Sequence, residues 1–436
     1  MDRSLWAVLV GTFTLRFSTG LTGGLLGFFF GALAKERPEA GIDAVTVGVM
    51  AATFYVAEMV LAPPFGLLSD RIGHHRVMQF GPVFGAVAVV LTAASTNLLG
   101  LALVFLLVLA LTRFLEGAST AASVPSILGY IALVTAGDES LRGRAAARFE
   151  GATLAGLGAG FIVAPKLYEA FAAEVATAFL LNAGIYLVSL LIYRYGVADP
   201  RGEAELLAAS HPGWRRYGDL VRSTHVMLLA PTWIAINAAI GLWFSQSIFQ
   251  FSRRDARFPA QVLHGGFDAT QITVAAIVIA IVFAAGLIYW GNRFKSMRRT
   301  TIILYGVLGG AGMVLAGLAL NHSAGLPILV TVAFALAMAA GLFVLAGATP
   351  AALGLLADVS EAFPADRGAI MGLYSVFLAM GQITGSLIGG IAADAQGIDG
   401  LFVSTVVLLG VALVPLSRLR RAEHFVCGPG TPVTLD

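Results

Sequence analysis

The feature that most constrains this chain is a series of long apolar stretches broken by short charged or Gly/Pro/Asn-containing gaps. They fall at about 5–33, 44–68, 79–95, 99–134, 145–171, 175–197, 225–250, 270–291, 301–320, 327–357, 368–394 and 401–417. A helix needs roughly 20 apolar residues to cross a hydrocarbon layer of about 30 Å, so each stretch reads as one membrane span. The fold class that follows is an all-α integral membrane protein with twelve transmembrane helices. Composition agrees, because 58% of the 436 residues are hydrophobic and only 12% charged. Several spans exceed the crossing length, so tilt or kinks are expected, with Pro125 and Pro350 as candidate kinks in the two longest.

Charge sets the orientation. Of 27 Lys and Arg, 19 fall on one set of connections, six on the other, and two (Arg16 and Arg113) inside spans. The positive-inside rule places the richer side, and with an even number of spans both termini, in the cytoplasm. The N-terminal stretch lacks an A-x-A-like cleavage site and reads as a retained first span. A formal net charge of +2 and the absence of a basic, aromatic-interleaved block exclude nucleic-acid binding as a primary role. The single cysteine, Cys427, excludes an intramolecular disulfide framework and a cysteine-rich metal site. No P-loop, cofactor motif, metal-ligand spacing or Ser/His/Asp set stands out, so the chain reads as neither an ATP-driven pump nor an enzyme.

The longest cytoplasmic connection carries Arg201, Arg215, Arg216 and Arg222 with Glu203 and Glu205, and divides the spans six and six. The expected domains are therefore 1–197, a six-helix bundle; 198–224, a linker; 225–420, a second six-helix bundle; and 421–436, a cytoplasmic tail. An internal repeat supports the division. An offset of 225 aligns Pro125 with Pro350, Gly129 with Gly354, Arg142 with Arg367, Gly143 with Gly368, Gly156 with Gly381 and Gly160 with Gly385. Repeats with an even number of crossings are parallel, related by an axis along the membrane normal, and imply alternating access with a substrate site near mid-membrane at the repeat interface.

Between spans 2 and 3 stands Gly66-Leu67-Leu68-Ser69-Asp70-Arg71-Ile72-Gly73-His74-His75-Arg76, a tight turn with fixed charge at the membrane surface. This stretch resembles the G-x-L-a-D-r-x-G-r-k signature of the major facilitator superfamily, and the resemblance covers about residues 5–420. It implies a transporter of two pseudo-symmetric six-helix bundles in the plasma membrane of a prokaryotic or similar cell, acting as a monomer on a small-molecule substrate. Gly66, Asp70, Arg71, Gly73, Arg76, Arg142 and Arg367 would form its cytoplasmic gate. Two departures stand out. His74-His75 replace the usual basic doublet, so the loop's charge would vary with pH. The matching segment Asn292-Arg293-Phe294-Lys295-Ser296-Met297-Arg298 keeps basic residues without the Asp and Gly, implying an asymmetric gate.

In span 4, Arg113-Phe114-Leu115-Glu116-Gly117 is similar to the R-x-x-q-G element of proton-coupled members. An intramembrane arginine costs at least ~2.5 kcal/mol on insertion scales and needs a partner, and Glu116 at i+3 can supply it. The pair reads either as a proton-coupling site or as a structural ion pair. In span 5, Gly156-Leu157-Gly158-Ala159-Gly160-Phe161 lacks the proline of the G-x-x-x-G-P motif found in drug antiporters. Small residues at this spacing are close-packing positions, which lowers the weight of drug antiport within a drug-antiporter-like branch.

Arg16 and Glu58 both sit ~15 Å from the cytoplasmic end of their spans at 1.5 Å per residue. They read either as an interhelical pair or as an anion-binding Arg16 beside a titrating Glu58. Glu150 is assigned to the inner gate with Arg142, Arg144 or Arg148. In span 7, Trp233, Asn237 and Phe244 make an aromatic face with one amide, readable as core packing or, by the resemblance, as cavity lining. Gln246, Gln250, Tyr374 and Gln382 are weaker candidates. Arg16, Arg113 and the aromatic face lean the substrate toward a small amphipathic solute or organic anion. Carboxylates within the first-half spans favour proton coupling over uniport. A non-transporting assembly factor or receptor on the same fold is the alternative reading.

Overall fold

A computed structural model describes residues 3–135, 139–198, 224–293, 296–352, 355 and 367–421. Among these residues all regular structure is helical. The helices are α1 (Arg3–Glu36), α2 (Ala44–Ile72), α3 (Phe80–Ser95), α4 (Ala102–Val134), α5 (Glu139–Ala170) and α6 (Val175–Gly196). They continue with α7 (Thr224–Ser252), α8 (Ala269–Arg293), α9 (Arg299–Asn321) and α10 (Ile328–Leu345). The final run, Arg367–Arg421, is broken at Gly397, whose φ of 61° takes the chain out of helix and makes two elements, α11 (367–396) and α12 (398–421). Each of the twelve apolar segments overlaps one of these helices, the tenth over its described residues from Ile328 to Leu345. Ten helical stretches among the described residues are long and apolar enough to cross a membrane, with α11 and α12 counted in a single stretch. Glycine-rich α5, which begins with Arg144, Arg148 and Glu150, is not among the ten.

Local chemistry sets the helix ends. Asp43 caps α2 by accepting the Thr46 amide at 2.7 Å. Gly73 ends the same helix at φ 102°, a conformation costly for any other residue, and a single turn, His74–Val77, leads into α3.

The chain divides into two compact units, one holding the bulk of α1 to α6 and the other the bulk of α7 to α12. Helices in lipid gain little from hydrophobic transfer, so close backbone approach at small residues drives their association. In the first unit α5 crosses α1 through three glycines. A Cβ on Gly156 would sit 2.5 Å from the Phe13 carbonyl oxygen, and one on Gly160 or Gly20 would collide with the carbonyl of Phe17 or Leu157. In the second unit α11 crosses α7 in the same way. A Cβ on Gly381 would lie 2.6 Å from Ile234 O, one on Gly385 would collide with Ala238 O, and one on Gly241 would lie 2.9 Å from Gln382 O. The α5 and α11 partners are related by the 225-residue offset, and the α1 and α7 partners by 221. A side-chain hydrogen bond also joins the equivalent helix pairs α1–α6 and α7–α12, with the donor on opposite partners. Asn182 Nδ2 donates to Thr22 Oγ1 at 2.8 Å in the first unit, and Trp243 Nε1 donates to Thr405 Oγ1 at 2.9 Å in the second. The glycine pairs found in the sequence are therefore crossing points of equivalent helix pairs.

Candidate functional site

The first unit carries its charge on α4. Arg113 and Glu116 lie one turn apart, and the Arg113 guanidinium pairs with Glu116 Oε2. Both are buried, at 9% and 1% exposure, where a charge lacking its partner would be far costlier than at a surface. The other carboxylate oxygen, Oε1, accepts a hydrogen bond from Tyr186 of α6 at 3.1 Å. The Thr19 hydroxyl of α1 lies 3.3 Å from the same phenol oxygen. Asn182, one turn before Tyr186, donates to Thr22 Oγ1 and to Ser18 O, tying α6 to α1 beneath the carboxylate. On the opposite side the Arg113 guanidinium lies 5.2 Å from the Phe54 ring centroid, within cation–π range. Three helices thus converge on one ion pair.

Of the two readings of Arg16 and Glu58, direct pairing is not the one seen. The Arg16 guanidinium donates to Thr120 Oγ1 at 3.0 Å, one turn beyond Glu116 on α4, and among the described residues no hydrogen bond or ion pair joins it to Glu58. Equal depth places two residues at one level of the membrane without turning them toward each other. Arg16 remains the charge whose field acts on Glu58, and it also acts on Glu150. Glu150 thus belongs electrically with Arg16 as well as lying near the arginine-rich start of α5. Tyr55 of α2 stands within the fields of Arg16, Glu58, Arg113 and Glu116 together. The sequence reading passed over Tyr55 because, next to Phe54, it reads as aromatic packing. It passed over Tyr186 and Thr19 as well, whereas the lone amide of Asn182 within the apolar segment 175–197 was a usable signal.

At the loop after α2, Arg71 and Arg76 are exposed, and a side chain at Gly66 would meet Pro125 only at ordinary contact distance. His74 departs from its expected part as a surface basic residue. It is buried, its Nδ1 lies 3.0 Å from Ser69 Oγ, and its ring occupies the space that a side chain at Gly129 would fill. The side chains of Asp70, Arg142, Arg367 and Tyr374, and all of Asp358, Glu361, Asp366 and Cys427, lie outside the described residues.

In the second unit Trp233 and Asn237 are buried, and Asn237 Nδ2 donates back to Trp233 O at 2.9 Å while its Cβ faces Gly381. Phe244 is 45% exposed, so the expected face is half packing and half surface. Gln250 donates to Gln246 Oε1 at 3.1 Å, both fully buried on α7. Beyond α7, Asp255 is bonded by Arg257 and Arg253, and Arg257 also reaches Asp394 at the end of α11. Burial alone would raise the Asp255 carboxyl, but the Arg257 hydrogen bonds and the two guanidinium charges outweigh it and hold the group below the usual carboxylate range. His264 in this loop is pushed below the ordinary imidazole value by burial, against the pull of the Arg253 carbonyl. Among the described residues no group of His, Cys, Asp and Glu is placed to hold a metal ion.

A helical protein with many spans, an internal two-fold repeat and a buried ion pair in one repeat is built like a secondary transporter. The sequence profile of the Major Facilitator Superfamily matches residues 8–333, and the chain belongs to that family. It is 26% identical over 390 residues to multidrug resistance protein 1 of Bacillus subtilis (strain 168), covering 86% of this chain and 88% of that one. It is 21% identical over 404 residues to the quinolone resistance protein NorA of Staphylococcus aureus (strain MSSA476), covering 91% and 94%. The fold is similar to the crystal structure of the nucleoside transporter NupG, with a TM-score of 0.67 at 14% identity over 97% of this chain and 100% of that one. The protein is a multi-pass membrane secondary transporter of a small-molecule substrate, and not an enzyme.

Proposed function

We propose that this protein exports small amphipathic organic compounds in exchange for protons, with Glu116 as the proton-exchanging group. The observation that carries the reading is the Glu116 carboxylate, buried on α4 and held on one oxygen by Arg113 and on the other by Tyr186. A proton can replace the arginine's contact there, and a change in helix packing that moves either partner favours uptake or release. Export is supported by the relatives, two of which are named for resistance to drugs. An organic anion finds less support than the bare arginines implied, because Arg113 is matched by Glu116, and the charge of Arg16 acts on Glu58 and Glu150.

The remaining assignments are part of the same proposal. The bundles are 1–197 and 225–420, joined by 198–224 and followed by the tail 421–436. They alternate access in a monomer in the plasma membrane, with both termini cytoplasmic. Gly66, Asp70, Arg71, Gly73, Arg76, Arg142 and Arg367 make the inner gate, with Asp70 holding it shut. Arg16, Trp233, Asn237 and Phe244 contribute to substrate contact, and Glu58 stands by as a second carboxylate.

Everted membrane vesicles with a fluorescent amphipathic cation added to the outer medium test the export reading. The dye is expected to accumulate when the lumen is acidified and to leak when a protonophore is added. Accumulation unaffected by the protonophore would remove proton exchange from the account. Orientation is tested by the sole thiol, Cys427, which an impermeant maleimide is expected to label only after right-side-out vesicles are opened.

A further inference from the structure

The α7–α11 crossing of the second unit differs from its first-unit counterpart in one chemical respect. On α5 the residues following the two crossing glycines are Leu157 and Phe161; at the same repeat positions α11 carries Gln382 and Ser386. They stand one turn apart, Gln382 5% exposed and Ser386 fully buried. Among the described residues neither Gln382 Oε1 nor Ser386 Oγ has a hydrogen-bond partner. An unmatched buried polar group is costly, and hydrocarbon surroundings offer no relief. Helix packing does not require that cost, since the first unit makes the equivalent crossing with Leu157 against Gly20.

Gly241 leaves room around the amide, because a Cβ there would lie 2.6 Å from Gln382 Oε1. One turn further along α7, Phe244 presents a half-exposed ring. A free acceptor, a neighbouring hydroxyl and an aromatic surface suit a planar substrate that carries an N–H donor. We propose that Gln382, supported by Ser386, is a substrate-recognition subsite that accepts a hydrogen bond from an amine or amide N–H of an aromatic amphiphile. This deepens the export reading above and rests on it.

The test uses two dyes that differ only at nitrogen, an unsubstituted aminorhodamine methyl ester and its N-tetramethyl counterpart, which has no donor. In proteoliposomes the wild-type protein is expected to show a KM for the amino dye about three- to tenfold below that for the methylated dye, the worth of one ordinary hydrogen bond. Q382L is expected to bring the ratio to about one by raising KM for the amino dye relative to that for the methylated dye. Q382E keeps the acceptor and is expected to keep the preference, while S386A falls between. A wild-type ratio of one, or a ratio that survives Q382L because the amide holds only an ordered water, would overturn the assignment. Should Q382L fail to fold, loss of preference in Q382E would overturn it as well. If the wild-type protein moves neither dye, the export reading fails and takes this subsite with it; if it moves both with the Q382L ratio unchanged, only the subsite fails.

Discussion

Tyr186 donates its hydroxyl to Glu116 at 3.1 Å from the side of the carboxylate opposite Arg113, so one residue of α6 completes an ion pair made within α4. A hydrogen bond to a charged acceptor is worth about 1.5–3 kcal/mol. Y186F is therefore expected to lower thermal stability in detergent by an amount in that range and to slow gradient-driven transport while substrate still binds. A Y186F protein with wild-type stability and wild-type transport would show that the phenol is incidental to the pair.

Arg16 gives a second prediction because two carboxylates share it. Each of E58Q and E150Q removes one of the two carboxylates in the field of Arg16, whereas the double substitution removes both and keeps its Thr120 contact. The double variant is expected to lose more stability than the two singles together, by about 0.5–3 kcal/mol, the usual range for groups acting on one centre. Additivity within about 0.5 kcal/mol in thermal unfolding would place the three charges in separate environments.

How much of this was legible in the sequence depended on whether a relationship was local. Apolar segment length predicts helices because crossing a membrane is a requirement on each segment alone, and every one of the twelve overlaps a helix. Arg113 and Glu116 meet because i and i+3 share a face of any α-helix. Gly156, Gly160, Gly381 and Gly385 stood out through the repeat and proved to be backbone contacts. Tyr186, Thr19 and Thr22 reach the site only through the packing of α6 and α1 on α4, which no single-helix pattern encodes. The sequence left Arg16 and Glu58 open between direct pairing and separate roles for a related reason, since depth along two helices leaves their rotation undetermined. His74 read as a surface charge because its burial depends on Gly129, 55 positions away.

The crossing glycines supply a third prediction. At Gly160 and Gly385 an added methyl meets a backbone carbonyl that cannot move aside, while at Gly158 and Gly410 it meets open space. G160A and G385A are each expected to cost about 1–3 kcal/mol of stability through overpacking. G158A and G410A are expected to be neutral or to gain up to about 1 kcal/mol from helix propensity. Equal effects at all four positions, measured by thermal unfolding, would remove close packing as the reason for the repeat.

The loop after α7 is expected to weaken in acid. The folded His264 resists protonation because it is buried, so its contribution is complete above the unfolded value of about 6.5 and is lost as pH falls toward its depressed folded value. Asp255 adds a second loss at lower pH, as protons reach a carboxylate held by Arg257 and Arg253. Protection factors in residues 253–267, that is, amide exchange corrected for its intrinsic base-catalysed rate at each pH, are expected to fall between pH 7.5 and 5.5, and H264Q is expected to flatten that dependence. Protection factors that rise on acidification would reverse the sign of the argument.

The central claim is that Glu116 carries the proton exchanged for substrate, and proton movement itself tests it most directly. Proteoliposomes containing a trapped pH-sensitive dye and given a substrate gradient report protons moved by substrate flow. The wild-type protein is expected to move protons opposite to substrate. E116Q is expected to bind the substrate with wild-type affinity and move no protons with it. Substrate-driven proton movement at the wild-type rate in E116Q would contradict the account and leave the Arg113–Glu116 pair a purely structural feature.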